Sequence, residues 1–191
     1  MKATLFDYGA GNLHSLERAL RHVGLSVEVA PDATTKNDLL VLPGVGAFGL
    51  AADRLKPFKA AIRSAVDGGL PIVGICLGMQ LFFDASEEDG AQPGRGLAFL
   101  DGTVSKLRGR RVPHIGWTSL DGLSKAAMYF AHSYVCRPAR PEVVVAWATH
   151  EDERFPAAVK QGRVAGVQFH PEKSSTAGLD VLALLVREVT Q

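Results

Sequence analysis

The sequence has little that would mark a secreted, membrane-bound or nucleic-acid-binding chain. It holds only two cysteines, Cys76 and Cys136, with no CxxC pair and no Cys/His metal spacing. That excludes a disulfide scaffold and makes a reducing cytoplasm the default compartment. No apolar stretch approaches the roughly 20 residues that span a bilayer. The start, MKATLFDYGAGN, reaches Asp7 after too short an apolar run for a signal peptide. Neither charge sign is in excess: 21 Lys and Arg stand against 20 Asp and Glu, a net charge of +1. A strong non-specific nucleic-acid footprint needs a basic surplus. Arg108, Arg110 and Arg111 form the only basic cluster, which reads as a solvated loop or a partner contact. Repeats, low-complexity tracts and composition-shifted linkers are missing as well, so residues 1–191 read as a single domain.

What is present suits a globular fold with a full core: 47% of residues are hydrophobic and 21% charged. The first half alternates between short apolar runs and helical spacing. Residues 3–6 (ATLF), 25–30 (LSVEVA), 39–42 (LLVL) and 71–75 (PIVGI) read as strands. Between them, Leu13, Leu16, Leu20 and Val23 fall on one helical face after Asn12, a candidate cap. Phe58, Ile62, Ala65 and Val66 do the same after Pro57, and residues 77–83 read as helix. From about residue 97 the texture changes. LAFLDGTVSKL, AAMYFAHSYV, EVVVAWATH, AAVKQ and RVAGVQF read as strands joined by turns such as Asp101-Gly102 and Gln161-Gly162. Leu182, Leu185, Val186 and Val189 close the chain as a helix. The expected fold is α/β: an open, mostly parallel central sheet with helices on both faces and additional antiparallel strands in the second half.

Within this pattern, Gly74-Ile75-Cys76-Leu77-Gly78 follows a buried strand and precedes a helix. G-x-C-x-G there resembles the nucleophile elbow, with sulfur in place of the serine oxygen. Glycines let the backbone pack against a sharp turn, and unpaired N–H groups at the helix start favour thiolate over thiol. The Leu77 N–H can stabilise an oxyanion. The pentapeptide alone leaves a nucleophile and a buried core cysteine equally open.

A thiolate nucleophile needs a base, and six histidines are available. His14 and His22 fall on the first helix as surface residues. His150, beside Glu151 and Asp152, reads as part of a turn. His170 ends an apolar run and opens His170-Pro171-Glu172. Proline pushes the residue before it toward extended geometry, where residues two apart share a side. Glu172 can then hold the His170 tautomer while the other ring nitrogen meets the sulfur, which favours a triad over a capped turn. A second strand end, Pro43-Gly44-Val45-Gly46, lies where ligands gather on a parallel sheet, and its backbone N–H groups can complete an oxyanion hole. A plain strand-to-helix turn accounts for the same residues.

Together, GICLGMQ, PGVG and HPE resemble the class I glutamine amidotransferases. FDYGAGNL, LPGVGAFG, VPHIGW, YFAHSY and GVQFHPEKSS narrow the resemblance to the glutaminase subunits of imidazole glycerol phosphate synthase, essentially end to end. The resemblance implies that Cys76 attacks the side-chain amide carbon of glutamine, that His170 manages protons and that Glu172 orients it. It implies Val45, Gly46 and Leu77 at the oxyanion. Gly46, Gln80, His132, Ser133 and Tyr134 would hold the substrate. Trp117, Tyr129 and Lys173 would lie near the partner interface and ammonia exit. Neither cofactor nor metal is implied. The implied partner is the (β/α)₈ cyclase subunit, which takes the ammonia through a channel in histidine synthesis, in a cytoplasmic heterodimer. His114 gains no catalytic role. Ile115 and Thr118 depart from the methionine and asparagine often found in the family. The glycines around Val45 further suggest a peptide that turns its N–H inward when the partner is loaded. Two rival readings are a glutaminase serving another synthase, such as pyridoxal phosphate synthase, and a non-catalytic scaffold subunit. PGVGAF argues against the first, and intact Cys76, His170 and Glu172 against the second.

Overall fold

The computed structural model describes residues 1–31, 37–92 and 95–191. The first half runs β1 (Lys2–Phe6), α1 (Leu13–His22), β2 (Ser26–Ala30), β3 (Leu39–Leu42), α2 (Phe48–Leu55), α3 (Lys59–Asp67), β4 (Ile72–Ile75) and α4 (Leu77–Gln80). After it come β5 (Ala85–Ser86), β6 (Gly102–Lys106), β7 (His114–Ser119), β8 (Asp121–Gly122), β9 (Ala127–His132) and β10 (Tyr134–Pro138). The chain closes with β11 (Val144–His150), β12 (Glu153–Gln161), β13 (Val164–Val167) and α5 (Ser175–Thr190).

An eight-stranded sheet carries the fold, in the order β2-β1-β3-β4-β13-β12-β11-β8. The first five are parallel to their neighbours, and β12, β11 and β8 join antiparallel. This is the expected mixed sheet. β3 and β4 are buried at every position, as strands covered on both faces must be. One core layer packs α1 and α5 through Leu16, Leu20, Leu182 and Leu185; the other packs α2 and α3 through Phe48, Leu55 and Ile62.

Four expectations about elements change. α4 stops at Gln80, short of residue 83, and residues 97–100 are not a strand. The two departures have one cause. The carbonyls of Leu81 and Phe82 accept from the N–H groups of Leu97, Phe99 and Leu100 at 2.7–3.1 Å, where another helical turn would otherwise donate. Residues 114–119, which carried no strand signal, form β7 and pair with β9. The run AAMYFAHSYV breaks at Ser133, so β9 serves the β7 hairpin while β10 pairs with β6. Asn12 sits at the start of α1 but makes no side-chain cap there; its amide donates to Ser15 Oγ at 3.2 Å. The three arginines of the basic cluster are exposed on the loop before β7, and Glu151 accepts from Arg110 N at 2.7 Å and Arg111 Nε at 3.0 Å.

Candidate active site

β4 ends one residue before Cys76, and the chain turns there into α4. Cys76 has φ 54° and ψ −110°, backbone angles that strain a residue bearing a Cβ by about 1–3 kcal/mol. Its N–H donates to Val167 O at 2.7 Å, which ties the turn to the neighbouring strand β13. The flanking glycines permit the turn by contact. A Cβ on Gly74 would sit 2.6 Å from the Gly78 carbonyl carbon, and one on Gly78 would sit 2.0 Å from Leu42 O. The two glycines therefore pack on one another and on the end of β3. Gly44 joins them, since its Cβ would meet Leu77 Cβ at 2.7 Å and Gly78 N at 2.9 Å. The PGVG loop and the cysteine elbow are mounted back to back. Buried Tyr8, which sequence reasoning missed, holds the loop by donating to Pro43 O at 2.6 Å. Burial, then the nearby Cys76, pushes its phenol pKa up.

His170 follows β13 in extended geometry, φ −100° and ψ 96°, as the proline after it requires. Its N–H donates to Tyr129 O at 2.9 Å, and its carbonyl accepts from Ser174 Oγ at 2.6 Å. Ring atom Nδ1 lies 2.8 Å from Glu172 Oε1, and each side chain is only 4% exposed. The carboxylate accepts, so Nδ1 carries the proton and Nε2 is left to face the sulfur. Burial pulls the His170 pKa down. Hydrogen bonds and charges from Cys76 and Glu172 outweigh it, and the imidazolium persists to about pH 10.

A cavity of about 290 Å³ opens over Cys76. Every residue expected at the oxyanion or around the substrate lines it: Val45, Gly46, Leu77, Gln80, His132, Ser133 and Tyr134. Glu88 and Ile115 line it too, without having been singled out for that role. Gly46 has φ 104° with open space around its Cα, so backbone geometry rather than packing calls for glycine there. Trp117, Tyr129 and Lys173 lie outside the cavity as one group. The Trp117 and Tyr129 rings meet edge to face with centroids 6.0 Å apart, and Lys173 Nζ stands 5.8 Å from the Tyr129 ring centre. Trp117 is 55% exposed and Ile115, two residues earlier on β7, 64%. Tyr129 joins this group to the triad, because its carbonyl holds the His170 N–H.

The remaining histidines need one correction. His14 and His22 are exposed on α1, as expected. His150 is not a turn residue. It ends β11 with its ring stacked on His114 at 4.2 Å, and its Nε2 lies 2.7 Å from Arg111 O. The turn begins only at Glu151, with φ 51°, so strand alternation still directs His150 to the side of buried Ala146 and Ala148. His114 Nδ1 is 3.2 Å from His132 Nε2, and both rings are buried. Burial first, and neighbouring imidazoles second, lower His114 to about 4 and His132 to about 3.

The residue most clearly missed is Gln168. It is fully buried, and its Nε2 lies 3.6 Å from Cys76 Sγ. Nothing in the run VAGVQF sets it apart from strand filler. The signal lies in the register: β13 pairs with β4 as Gly166 with Gly74 and Val167 with Ile75, and one further step aligns Gln168 with Cys76.

The class-I glutamine amidotransferase family profile matches residues 4–187. An imidazole glycerol phosphate synthase subunit HisH from Chlorobaculum tepidum is 41% identical, covering 92% of this chain and 94% of that protein. The subunit of the same name from Geobacillus thermodenitrificans is 42% identical, covering 97% and 95%, and that from Pyrococcus furiosus is 40% identical, covering 95% and 96%. Among solved structures, a glutamine amidotransferase superposes with a TM-score of 0.74 at 20% identity, over 95% of this chain and 96% of that one. PurLQS from Thermotoga maritima also reaches 0.74, at 19% identity over 97% of each chain. At that identity the likeness speaks to the fold.

Proposed function

The chain belongs to the class I glutamine amidotransferases, as a glutaminase subunit of imidazole glycerol phosphate synthase acting in histidine biosynthesis, and on that premise we propose that Cys76, His170 and Glu172 carry out its glutamine chemistry. One observation carries the assignment: a carboxylate-held imidazole from a distant segment meets a strained cysteine, and that cysteine opens on a cavity. The Cys76 thiolate attacks the side-chain amide carbon of glutamine, and the carbonyl oxygen takes up the negative charge. The Leu77 N–H receives that oxyanion, joined by the N–H groups of the Val45–Gly46 loop once its peptide turns inward. His170, already protonated at neutral pH, gives its proton to the departing nitrogen, and ammonia leaves a γ-glutamyl thioester. The now neutral imidazole takes a proton from water as water attacks the thioester. Glutamate and the thiolate are released, and His170 is again protonated.

Gly46, His132, Ser133 and Tyr134 line the cavity where the amino-acid end of glutamine would rest. Gln80 donates its amide N–H groups to Tyr134 O and Gln168 Oε1, so its oxygen is the group left for substrate N–H. The partner is a cyclase subunit that receives the ammonia, in a cytoplasmic heterodimer. Trp117, Tyr129, Lys173 and exposed Ile115 form the face that meets it, with the exit close to Tyr129. Relatives at 40–42% identity along nearly the whole chain favour this pathway over a synthase of another kind.

The test is glutamate release from glutamine, measured with and without the cyclase and its ligand. Cys76→Ala is expected to abolish release while the cyclase still works on added ammonium salt. Glutaminase activity surviving in that variant would overturn the assignment.

A further inference from the structure

Gln80 Nε2 lies 2.9 Å from the Tyr134 carbonyl oxygen. A carbonyl only accepts, so the nitrogen of Gln80 must be the atom on that side. The same nitrogen lies 3.0 Å from Gln168 Oε1, which fixes the second amide in turn. Gln168 is left with its N–H₂ toward Cys76 Sγ, at 3.6 Å. The Tyr134 carbonyl orders a second branch as well. His132 Nδ1 is 3.1 Å from it and so carries the proton, and His132 Nε2 then accepts from His114 Nδ1. His114 Nε2 accepts in its turn from the Thr118 hydroxyl at 2.9 Å. Every amide and imidazole of the network has one allowed orientation, and all of them follow from a single backbone oxygen.

We infer that Gln168 is a positioning residue for the nucleophile, holding the Cys76 sulfur in its ionised form and in place by an amide N–H whose direction Tyr134 and Gln80 dictate. This deepens the reading of Cys76 as the nucleophile and rests on it. The physical reason is charge assistance: an N–H facing sulfur binds thiolate more strongly than thiol and so favours the charged form. Gln168 is fully buried, so its N–H₂ is not shared with solvent. It also faces the sulfur from the residue just past β13, on the segment that continues into His170. A donor and a base are thereby fixed on one segment, two residues apart, and both act on the same atom.

The experiment follows alkylation of Cys76 by iodoacetamide across pH, with mass spectrometry separating it from fully buried Cys136. Gln168→Met removes the donor at similar volume, and Gln168→Glu adds a carboxyl of the same shape. The alkylation midpoint is expected to rise by about one pH unit in the first and further in the second. kcat is expected to fall about tenfold in Gln168→Met, with KM for glutamine within about threefold. A purely structural Gln168 would lower the melting temperature and leave the midpoint where it was; that result overturns the inference. The unmutated chain supplies an independent check. Its Gln168 side-chain amide resonance should shift in Cys76→Ala, and an unmoved signal would count against the contact with sulfur. Failure of the two readings is separable: an active Cys76→Ala removes the nucleophile assignment, whereas an inactive Cys76→Ala beside unshifted midpoints removes only the role of Gln168.

Discussion

His170 Nδ1 and Glu172 Oε1 stand 2.8 Å apart with one proline between them in the chain. The proline makes this pair local and stiff, and burial shields it from water. Glu172→Gln keeps the shape but offers an amide that can present N–H to Nδ1 and reverse the tautomer. By analogy with carboxylate-to-amide changes in other triads, kcat should fall about 10²- to 10⁴-fold with little change in KM. Steady-state glutaminase kinetics in the presence of the cyclase check it. A fall of less than threefold would leave Glu172 a structural residue.

The elevated pKa of His170 depends on the sulfur beside it. Burial lowers that pKa, while Cys76 and Glu172 raise it to about 10. In Cys76→Ala the leading upward influence is gone. The His170 ring resonances should then titrate well below 10 in an NMR pH series, whereas the unmutated chain should show no His170 titration between pH 6 and 8. A midpoint shared by both proteins contradicts the thiolate–imidazolium pair.

His114 and His132 set the acid limit of the fold. Their folded values, about 4 and about 3, lie below the unfolded value of 6.5. Between about pH 6.5 and those values the unfolded chain binds protons that the folded chain refuses, so stability is full above 6.5 and falls as pH drops. The slope is at most about 1.4 kcal/mol per pH unit for each imidazole. His170, raised to about 10 in the folded chain, gains stability as its unfolded imidazole charges around pH 6.5, offsetting part of the loss there, and adds no further change below about pH 5.5. Urea unfolding at pH 7, 6 and 5 should show the decline, and a flat profile would exclude it.

Gly78 and Gly46 should respond differently to alanine. At Gly78 the new methyl would lie 2.0 Å from Leu42 O, against backbone that cannot yield. A loss of about 3 kcal/mol is expected, lowering the melting temperature by roughly 6–12 °C. At Gly46 none of the described residues stands within 4 Å of an added Cβ, so the cost is that of φ 104°, about 1–2 kcal/mol. Its larger effect should fall on kcat, through the oxyanion. Scanning calorimetry and glutaminase assays separate the two.

Trp117→Ala should loosen the cyclase complex without unfolding the subunit. Trp117 is 55% exposed and rests on Tyr129 only edge to face. Aromatic anchors of this kind typically contribute about 2 kcal/mol or more to binding, roughly a 30-fold change in Kd. Calorimetric titration with the cyclase tests it; an unchanged Kd would move the interface elsewhere.

Much of the site was legible in the sequence because its signals are local. The elbow shows its glycines, and His170-Pro171-Glu172 carries its own stiffness. Strands β1 to β4 are apolar runs that nothing else explains. Gln168, His150 and β7 were not legible, for a different reason in each case. Gln168 matters only through the pairing of β13 with β4, a relationship between segments. The place of His150 depends on where the hairpin begins to turn. β7 is built around Gly116 at φ 144° and carries only two apolar side chains, Ile115 and Trp117, too short an alternation to mark a strand. Its hydrophobic side faces away from this chain's own core.

The position of β13 has a consequence in time. It comes after every other described strand in chain order and yet lies inside the sheet, between β4 and β12. Until it inserts, β4 is an open edge and Cys76 has neither His170 nor Gln168 beside it. A partly folded or still emerging chain therefore carries a cysteine without its base or its donor. The nucleophile comes into being with the closing of the sheet, so full reactivity waits on the pairing of β13 with β4.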